Sequence, residues 1–259
     1  MPAATFNPQP GESMSHTPRT MRLGLLLPSS NSTQEPEFTE VLPRSVSLHT
    51  TRLTLTNIDA DSTERIVEEM DKESRKLADA DVGAILLAAT APTSRKGLGY
   101  DRELIRRITA ASGKPATTAS TAMLQAFAAL GISRVALAAP WSETVNKTVA
   151  AFIEANGVAV TSQLAMGVVS NNEVGRLDPE TAYESGLAVD RPEAQAIFLA
   201  CGNWLTMSIV ERLERALGKP VLTTNIVSIW GALRLLGFRE PIAGYGALLR
   251  EHLTIEVTQ

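Results

Sequence analysis

An internal duplication is the feature that most restricts how this chain can fold. The segment Ala84–Thr90 aligns without a gap with Ala196–Gly202, and Gly113–Thr118 aligns in the same way with Gly218–Thr223. Both copies continue through a helical pattern to a Leu-Gly pair, at residues 130–131 and 236–237. Self-similarity of this kind indicates that one supersecondary unit occurs twice. We therefore expect two similar halves.

Within each half, apolar strands alternate with amphipathic helices. Continuous apolar runs such as Val82–Ala88 are typical of strands buried on both faces of a parallel sheet. The alternation predicts an α/β fold with two pseudo-symmetric Rossmann-like halves, each a parallel sheet flanked by helices. Ser62 is predicted to cap the first helix. The predicted strands are 21–27, 53–57, 82–88, 134–139, 158–164 and 196–200, and the predicted helices are 62–79, 100–112, 119–130, 142–156, 178–189, 207–217 and 226–236.

The same pattern suggests a division into domains. Residues 1–20 are rich in Pro, Ser and Thr and lack periodicity, so they are expected to form a flexible N-terminal tail. The first half is predicted to contain residues 21–118 and part of the C-terminal segment, about 225–259. The second half is predicted to contain residues 119–224. Because ligands bind beyond the carboxyl ends of parallel strands, the active site is expected in the cleft between the halves.

Charge and composition argue against several classes of protein. The chain has 24 Lys and Arg against 28 Asp and Glu, and lacks a basic run, which argues against a nucleic-acid partner. No apolar run approaches the roughly 18 residues of a membrane span, and a signal-peptide pattern is missing. With a single cysteine in 259 residues, we expect a cytoplasmic protein without an internal disulfide. The three histidines show no ligand spacing, so neither a metal nor a cofactor is expected.

Cys201 is the main candidate for a catalytic group. It follows a predicted strand and precedes Gly202, with a helix expected to start near Thr206. A helix N-terminus stabilises a nearby thiolate through its unpaired N–H groups and its dipole. The alternative is a buried structural cysteine, because a free thiol packs as a small apolar group. The duplication favours a functional role, since it places Cys201 opposite Ala89 at equivalent strand ends.

Several motifs resemble those of the aspartate/glutamate/hydantoin racemase superfamily, and most closely its maleate cis–trans isomerase and arylmalonate decarboxylase branches. Pro28–Glu37 is similar to the first-strand loop of the isomerases, and Asn171–Pro179 is similar to another of their signatures. Thr118–Ala122 and the Cys201-Gly202 pair resemble both branches. The resemblance covers residues 21 to about 245.

The resemblance implies a cofactor-independent enzyme that acts on a small carboxylate or dicarboxylate and forms a homo-oligomer. Members of the superfamily offer one cysteine from each half, on opposite sides of the substrate. Here the first position is Ala89, as the duplication indicates independently. Trp141 replaces the tyrosine of the two branches, and an indole N–H can donate but not accept a hydrogen bond. Cys201 is the implied catalytic residue, and the implied substrate-binding residues are Pro28, Asn31, Thr90, Ala91, Thr118, Ser120, Trp141, Asn171 and Gly202.

The arrangement with one thiol resembles that of the arylmalonate decarboxylases, which keep only the second cysteine, so the resemblance implies decarboxylation of a substituted malonate. One carboxylate leaves as carbon dioxide, hydrogen-bond donors stabilise the enediolate, and Cys201 protonates one face. Leu87, Pro92 and Trp204 are expected to form apolar walls, and Tyr100 is expected to close over the site. Turn formation is the alternative role for both asparagines of the predicted site.

Two other functions stay open. The first is maleate-type cis–trans isomerisation, in which the Cys201 thiol adds to the double bond and leaves after rotation. The isomerase-like loops favour this reaction, whereas Ala89 argues against it. The second is a catalytically silent protein that binds carboxylates in the same cleft, because a fold does not fix a function.

Overall fold

The computed structural model of the protein describes residues 20–254. The expected tail, residues 1–20, therefore lies outside the described part except for Thr20. The first sheet is wholly parallel, with the strand order β2-β1-β3-β4. Its strands are β1 Met21–Pro28, β2 Val46–Leu53, β3 Ala84–Leu87 and β4 Ala116–Thr118. The helices that follow them are α1 Gln34–Val41, α2 Ala60–Asp79, α3 Thr90–Ser94, α4 Tyr100–Ser112 and α5 Ala119–Ala129.

The second sheet repeats this arrangement. It is also parallel, and its order β6-β5-β7-β8 corresponds strand by strand to that of the first sheet. Its strands are β5 Arg134–Ala139, β6 Ala159–Ala165, β7 Ala196–Leu199 and β8 Val221–Thr223. Its helices are α6 Glu143–Ala155, α7 Asn171–Val174, α8 Pro179–Val189, α9 Val210–Leu217, α10 Thr224–Leu235 and α11 Ala247–Glu251, with a 3-10 turn at Met207–Ile209 before α9. The predicted α/β fold with two pseudo-symmetric halves is confirmed.

The sheets are held together by helices that cross between the halves. Phe127 of α5 packs edge-on against Phe198 of β7, with ring centroids 5.8 Å apart. Helix α10 follows the second sheet but packs against β3 and β4 of the first. Helices α5 and α10 also pack on each other, so closely that a Cβ atom at Gly231 would lie 2.8 Å from that of Ala122. These contacts agree with assigning α5 to the second half and α10 to the first, and that division stays a prediction.

The second strand differs from the predicted one. Strand β2 is Val46–Leu53, and its full length pairs with β1 at the sheet edge. The predicted strand 53–57 overlaps it at Leu53 alone. An edge strand keeps polar, partly exposed side chains, so a search for apolar runs overlooks it. Beyond the strand the chain crosses the cleft, where Asn57 forms an antiparallel bridge with Ser170.

Several helix boundaries also differ from the predictions. Helix α2 begins at Ala60 because Asp59 is its N-cap, whose carboxylate accepts a hydrogen bond from Ser62 N–H, so the predicted Ser62 cap is wrong. The predicted helix 207–217 begins with a 3-10 turn. Helix α10 begins at Thr224 and is not the last helix of the described chain, because α11 follows it. The predicted strand residues 82, 83, 88, 158 and 200 lie just outside β3, β6 and β7, because strand ends are assigned only to within one or two residues.

Candidate active site

A cavity that is open to solvent lies in the cleft between the two sheets. Its walls come from the carboxyl ends of parallel strands, which is where open α/β sheets bind ligands. Pro28 ends β1, Ala89 follows β3, Trp141 follows β5 and Cys201 follows β7. The complete lining is Pro28, Asn31, Leu55, Ile58, Ala88, Ala89, Thr90, Ala91, Pro92, Trp141, Asn171, Cys201, Gly202 and Asn203.

Most of the residues predicted for the site therefore meet at one cavity. Cys201 lies in it together with Ala89, as the duplication requires, and seven of the nine predicted substrate-binding residues line it. Their catalytic and binding roles stay predictions. Leu55, Ile58 and Asn203 were not predicted. Asn203 lies two residues after Cys201, so its place just beyond the end of β7 could have been used to predict it as a lining residue.

The backbone of Cys201 is in an unusual conformation. Its φ is 138°, in a region that favours glycine, and Asp81 is the only other non-glycine residue with a positive φ among the described residues. Such a conformation costs on the order of 1–3 kcal/mol and persists only where the surroundings impose it. Here the Cys201 N–H donates to Thr224 Oγ1 at 3.0 Å. The equivalent Ala89 has φ −146°, which is ordinary extended backbone.

The Cys201 thiol is a weak acid in this environment. Burial raises its pKa from an ordinary 9.0 to about 12, against a smaller lowering by the backbone N–H groups of Asn203 and Trp204. The thiol is therefore protonated at neutral pH. The expected help from the helix start near Thr206 is not found, because the N–H groups of Thr206 and Met207 donate to the Glu37 carboxylate.

Two side-chain hydroxyls and one backbone N–H connect the residues that follow β3 and β7. Thr90 Oγ1 and Thr224 Oγ1 are 2.9 Å apart, and Thr224 Oγ1 also accepts the bond from Cys201 N–H. When Thr224 donates to Thr90, the Thr90 hydroxyl is free to donate into the cavity. Thr224 was not predicted, although extending the Gly218–Thr223 copy by one residue reaches it.

The asparagines form a second polar group at the cavity. The side-chain oxygen of Asn31 accepts from Thr33 N–H and Gln34 N–H, at 3.0 and 2.9 Å, which is the turn-forming role. Its amide donates one hydrogen to Gln34 Oε1 at 2.8 Å, and the amide of Asn171 donates one to Ser30 Oγ at 2.8 Å. An amide nitrogen carries two hydrogens, so each of these residues can also donate to a ligand.

Backbone N–H groups add two further donors. No hydrogen bond occupies the N–H of Ala91 or of Gly202 within residues 20–254. Both residues line the cavity. Gly202 also has to be glycine, because a Cβ atom there would lie 2.5 Å from the Gln34 side chain, which is fully buried.

Trp141 contributes its ring rather than its N–H group. Its indole N–H donates to Asn146 Oδ1 at 3.1 Å, and the residue is buried. Trp141 therefore adds apolar surface to the cavity, and the hydrogen-bonding role of a tyrosine is not reproduced at this position.

Two predicted substrate-binding residues do not line the cavity. Thr118 caps α5, with Thr118 Oγ1 accepting from Thr121 N–H at 3.0 Å. Ser120 is fully buried, and its hydroxyl hydrogen-bonds with Thr93 Oγ1 at 2.6 Å and donates to Thr90 O at 3.3 Å. Both were expected to be direct donors because the family resemblance implied it. The first turn of α5 uses one as a cap and the other to hold the Thr90 peptide.

Three of the residues expected to surround the site are also placed elsewhere. Leu87 and Trp204 are fully buried and are not part of the cavity wall, although Pro92 is. Tyr100 is the first residue of α4 and is buried in the core of the first half, so it cannot close over the site. The segment 55–58 contributes Leu55 and Ile58 to the cavity wall, and Ile58 N–H donates to Val169 O at 3.1 Å.

The charges around the cavity are distinctive. Within residues 20–254 its lining holds no Lys, Arg or His. The described residues also contain no group of three or more His, Cys, Asp and Glu that could hold a metal ion. Because the described part of the cavity lining has no basic side chain, a ligand carboxylate there would be held by neutral hydrogen-bond donors.

None of the described helices is long and apolar enough to cross a membrane.

Comparison with known proteins agrees with this geometry. A family model described as arylmalonate decarboxylase matches residues 23–249. An arylmalonate decarboxylase of Bordetella bronchiseptica is 27% identical over 240 residues, which cover 90% of this chain and 98% of that protein. A maleate isomerase of Geobacillus stearothermophilus is 26% identical over 242 residues, which cover 88% of this chain and 96% of that protein.

A solved structure shows the same relationship. It is a cysteine-to-serine mutant of the Nocardia farcinica maleate cis–trans isomerase with a covalently bound succinylcysteine intermediate. It is 26% identical to this chain, with a TM-score of 0.85, and the match covers 89% of this chain and 98% of that one.

Proposed function

Because the chain belongs to the arylmalonate decarboxylase family, we propose that it decarboxylates a substituted malonate without a cofactor and that Cys201 donates the proton. The homologues support an enzyme that acts on small carboxylic acids, of either the decarboxylase or the isomerase kind. The observation that favours decarboxylation over isomerisation is the high pKa of the only thiol, Cys201. A buried thiol with a pKa of about 12 is suited to give a proton and poorly suited to act as a nucleophilic thiolate.

The proposed reaction has two steps. The bond between Cα and one carboxylate breaks, carbon dioxide leaves, and the electron pair stays in an enediolate formed with the second carboxylate. The Cys201 S–H then gives its proton to Cα, and the resulting thiolate recovers a proton from water. The substituent and the departing carboxylate would lie against the apolar part of the lining, which includes Leu55, Ile58 and Pro92. Removal from water favours the loss of charge from that carboxylate.

The developing enediolate would be stabilised by the neutral donors of the cavity. The Thr90 hydroxyl and the free N–H groups of Ala91 and Gly202 are the proposed donors. Removing one donor from such an oxyanion site generally costs about 10²- to 10³-fold in kcat. The second amide hydrogens of Asn31 and Asn171 would orient the carboxylate that remains.

Maleate isomerisation is the second candidate, and the amide-rich side of the cavity favours it. Maleate carries two carboxylates, and Asn31, Asn171 and Asn203 offer donors for both of them. The isomerase mutant with a succinylcysteine keeps its adduct although one cysteine has been replaced by serine. The present chain has no thiol besides Cys201 for such an adduct.

A substrate panel in deuterated buffer separates these functions. The protein is incubated with an arylmalonate, an alkylmalonate and maleate, and the products are followed by proton NMR. Decarboxylation is expected, with one deuterium incorporated at Cα of the product acid. Conversion of maleate to fumarate would instead establish the isomerase. If none of the three substrates is converted, both reactions are contradicted and a carboxylate-binding protein is favoured.

Two variants test the role of the thiol. Cys201→Ala retains the backbone strain of the residue but lacks the proton, so turnover should fall by about 10²- to 10⁴-fold, the usual contribution of a general acid. Thermal unfolding serves as the control for folding. Full activity in this variant would exclude Cys201 as the donor. Ala89→Cys places a second thiol opposite Cys201, and it is expected to create or enhance racemase or isomerase activity.

A further inference from the structure

Glu37 is a buried carboxylate that the proposed reaction does not use. It lies on the inner face of α1 with Gln34, Phe38 and Val41, and it is 6% exposed. Glu37 Oε1 accepts hydrogen bonds from Thr206 N–H at 3.0 Å and from Met207 N–H at 3.1 Å. Glu37 therefore ties the first helix of the chain to the start of the helical segment that follows Cys201.

The other oxygen of Glu37 is linked to the Cys201 loop through Asn225. Asn225 Nδ2 donates to Glu37 Oε2 at 2.5 Å and to Gly202 O at 3.2 Å, while Asn225 Oδ1 is buried without a partner. This orientation of the amide depends on the ionised carboxylate. Reversing the amide would place Asn225 Oδ1 against two other oxygen atoms.

Among residues 20–254, only neutral groups stabilise the charge of Glu37. Its hydrogen-bond partners are two backbone N–H groups and one amide, and the nearby Glu40 on the same helix adds repulsion. Burial raises the pKa of Glu37 to about 6, so the side chain is ionised at neutral pH at some cost. An apolar residue of similar size would often stabilise the fold as well as a buried charge does. The position of the charge therefore calls for a role beyond packing.

We propose that Glu37 is a positioning residue: its carboxylate orients the Asn225 amide and so holds the Cys201–Gly202 segment against the substrate. Through this contact the first half of the chain fixes a thiol that the second half carries. The effect on turnover rests on the proposed role of Cys201 as proton donor, whereas the effect on the segment itself does not.

Glu37→Gln is the informative substitution because it keeps the shape of the side chain. The oxygen of the substituted side chain can still accept from Thr206 N–H and Met207 N–H. Its new amide nitrogen, however, would face Asn225 Nδ2, donor against donor. Asn225 must then reverse its amide and lose the bond to Gly202 O. The matched control is Glu40→Gln, the same change one turn along α1, where the carboxylate is exposed and pairs with the Tyr245 hydroxyl at 3.0 Å.

The first measurement needs no substrate. The full-length protein is labelled with iodoacetamide at pH 8 and followed by mass spectrometry, and Cys201 is the only thiol that can react. Glu37→Gln should label about tenfold faster than the wild type, because a loosened segment opens more often and exposes the thiol. Glu40→Gln should label at the wild-type rate. A folded Glu37→Gln protein that labels as slowly as the wild type would overturn the proposal.

A double variant distinguishes positioning from support of the fold. In Glu37→Gln/Asn225→Asp the two side chains again form a hydrogen bond, but the new carboxylate cannot donate to Gly202 O. This protein is expected to recover its thermal stability while labelling remains fast. Return of the wild-type labelling rate would show that the 37–225 contact is only structural. The double variant also serves if Glu37→Gln alone does not fold.

Turnover supplies the last measurement. With an arylmalonate as substrate, kcat of Glu37→Gln and of the double variant should fall by about tenfold or more, because small misplacements of a reacting group are costly. KM should change far less, since Glu37 does not line the cavity. Wild-type kcat in the double variant would overturn the proposal. A wild-type protein that is inactive on every malonate would refute the proposed function and leave the labelling result to decide the role of Glu37.

Discussion

The acidity of Cys201 leads to a quantitative prediction about its reactivity. Burial raises the pKa of the thiol from 9.0 to about 12. At pH 8, three pKa units reduce the thiolate population by about 1,000-fold. A more basic thiolate is intrinsically more nucleophilic, by about 15- to 30-fold over the same interval. The two effects combine to an alkylation rate about 30- to 60-fold lower than that of an ordinary cysteine, before any steric protection.

The assay uses the chain as its own reference. Iodoacetamide labelling is timed by mass spectrometry for the native protein and for the same protein in urea, where Cys201 is an ordinary thiol. Because the chain has one cysteine, each adduct reports on this residue. Between about pH 7 and 10 the native rate should rise steadily without reaching a plateau, whereas the unfolded rate should level off above about pH 9, the ordinary pKa of a thiol. A native rate equal to the unfolded rate, or an inflection near neutral pH, would refute the reasoning and favour a thiolate that adds to maleate.

Other predictions concern stability. Cys201→Gly should be about 1 kcal/mol more stable than Cys201→Ala in chemical unfolding, because glycine adopts φ 138° without strain; equal stabilities would contradict the strain. Gly202→Ala should destabilise the fold by about 1–3 kcal/mol and reduce turnover, since the new Cβ would overlap the buried Gln34 side chain; wild-type unfolding would count against that packing. Burial raises the pKa of Glu37 from 4.5 to about 6, and the resulting contribution to stability is complete below pH 4.5 and is lost as the pH rises through about 6. The free energy of unfolding of the wild type, relative to that of Glu37→Gln, should therefore fall by about 2 kcal/mol between pH 4.5 and neutrality. A difference that stays constant with pH would exclude the shift.

Much of this arrangement can be read from the sequence because the duplication and the buried strands carry strong signals. Strand β5 and helix α4 have the predicted bounds. The strand ends after β3 and β7 indicated that Ala89 and Cys201 would face one cavity. Parallel strands in equivalent halves leave little freedom at these positions, since each strand is buried on both faces and is followed directly by a tight turn.

The remaining parts depend on long-range contacts that a local pattern cannot show. Strand β2 is recognised only by its pairing with β1, because the side chains of residues 49–52 in its middle are polar and partly exposed. Glu37 has the appearance of a surface residue, between Glu35 and Glu40 on one short helix. Thr118 was expected at the site because its segment resembles the family motif, and its side chain instead caps the helix that follows. These errors share one cause, namely that sequence position fixes where a residue lies but not which partner its side chain meets.

The two halves support their equivalent strand ends in matching ways. Ser120 Oγ donates to Thr90 O at 3.3 Å, and Asn225 Nδ2 donates to Gly202 O at 3.2 Å. Each acceptor is the carbonyl of the residue that follows the Ala89 or Cys201 position. The duplication has thus produced two similar frames around the cavity. Only the second carries the thiol, the strained backbone and the additional hydrogen bond from Asn225 to Glu37.

This asymmetry predicts the stereochemical outcome of the proposed reaction. An enediolate is planar, and a proton can reach its two faces from opposite halves of the protein. The face towards Ala89 meets a methyl group, which cannot donate, so protonation should come from Cys201 alone. A prochiral malonate should therefore yield a single enantiomer, measured by chiral chromatography of the product acid. The Ala89→Cys variant, with a donor on each side, should give a product of lower enantiomeric purity. A racemic product from the wild type would mean that water, rather than Cys201, delivers the proton.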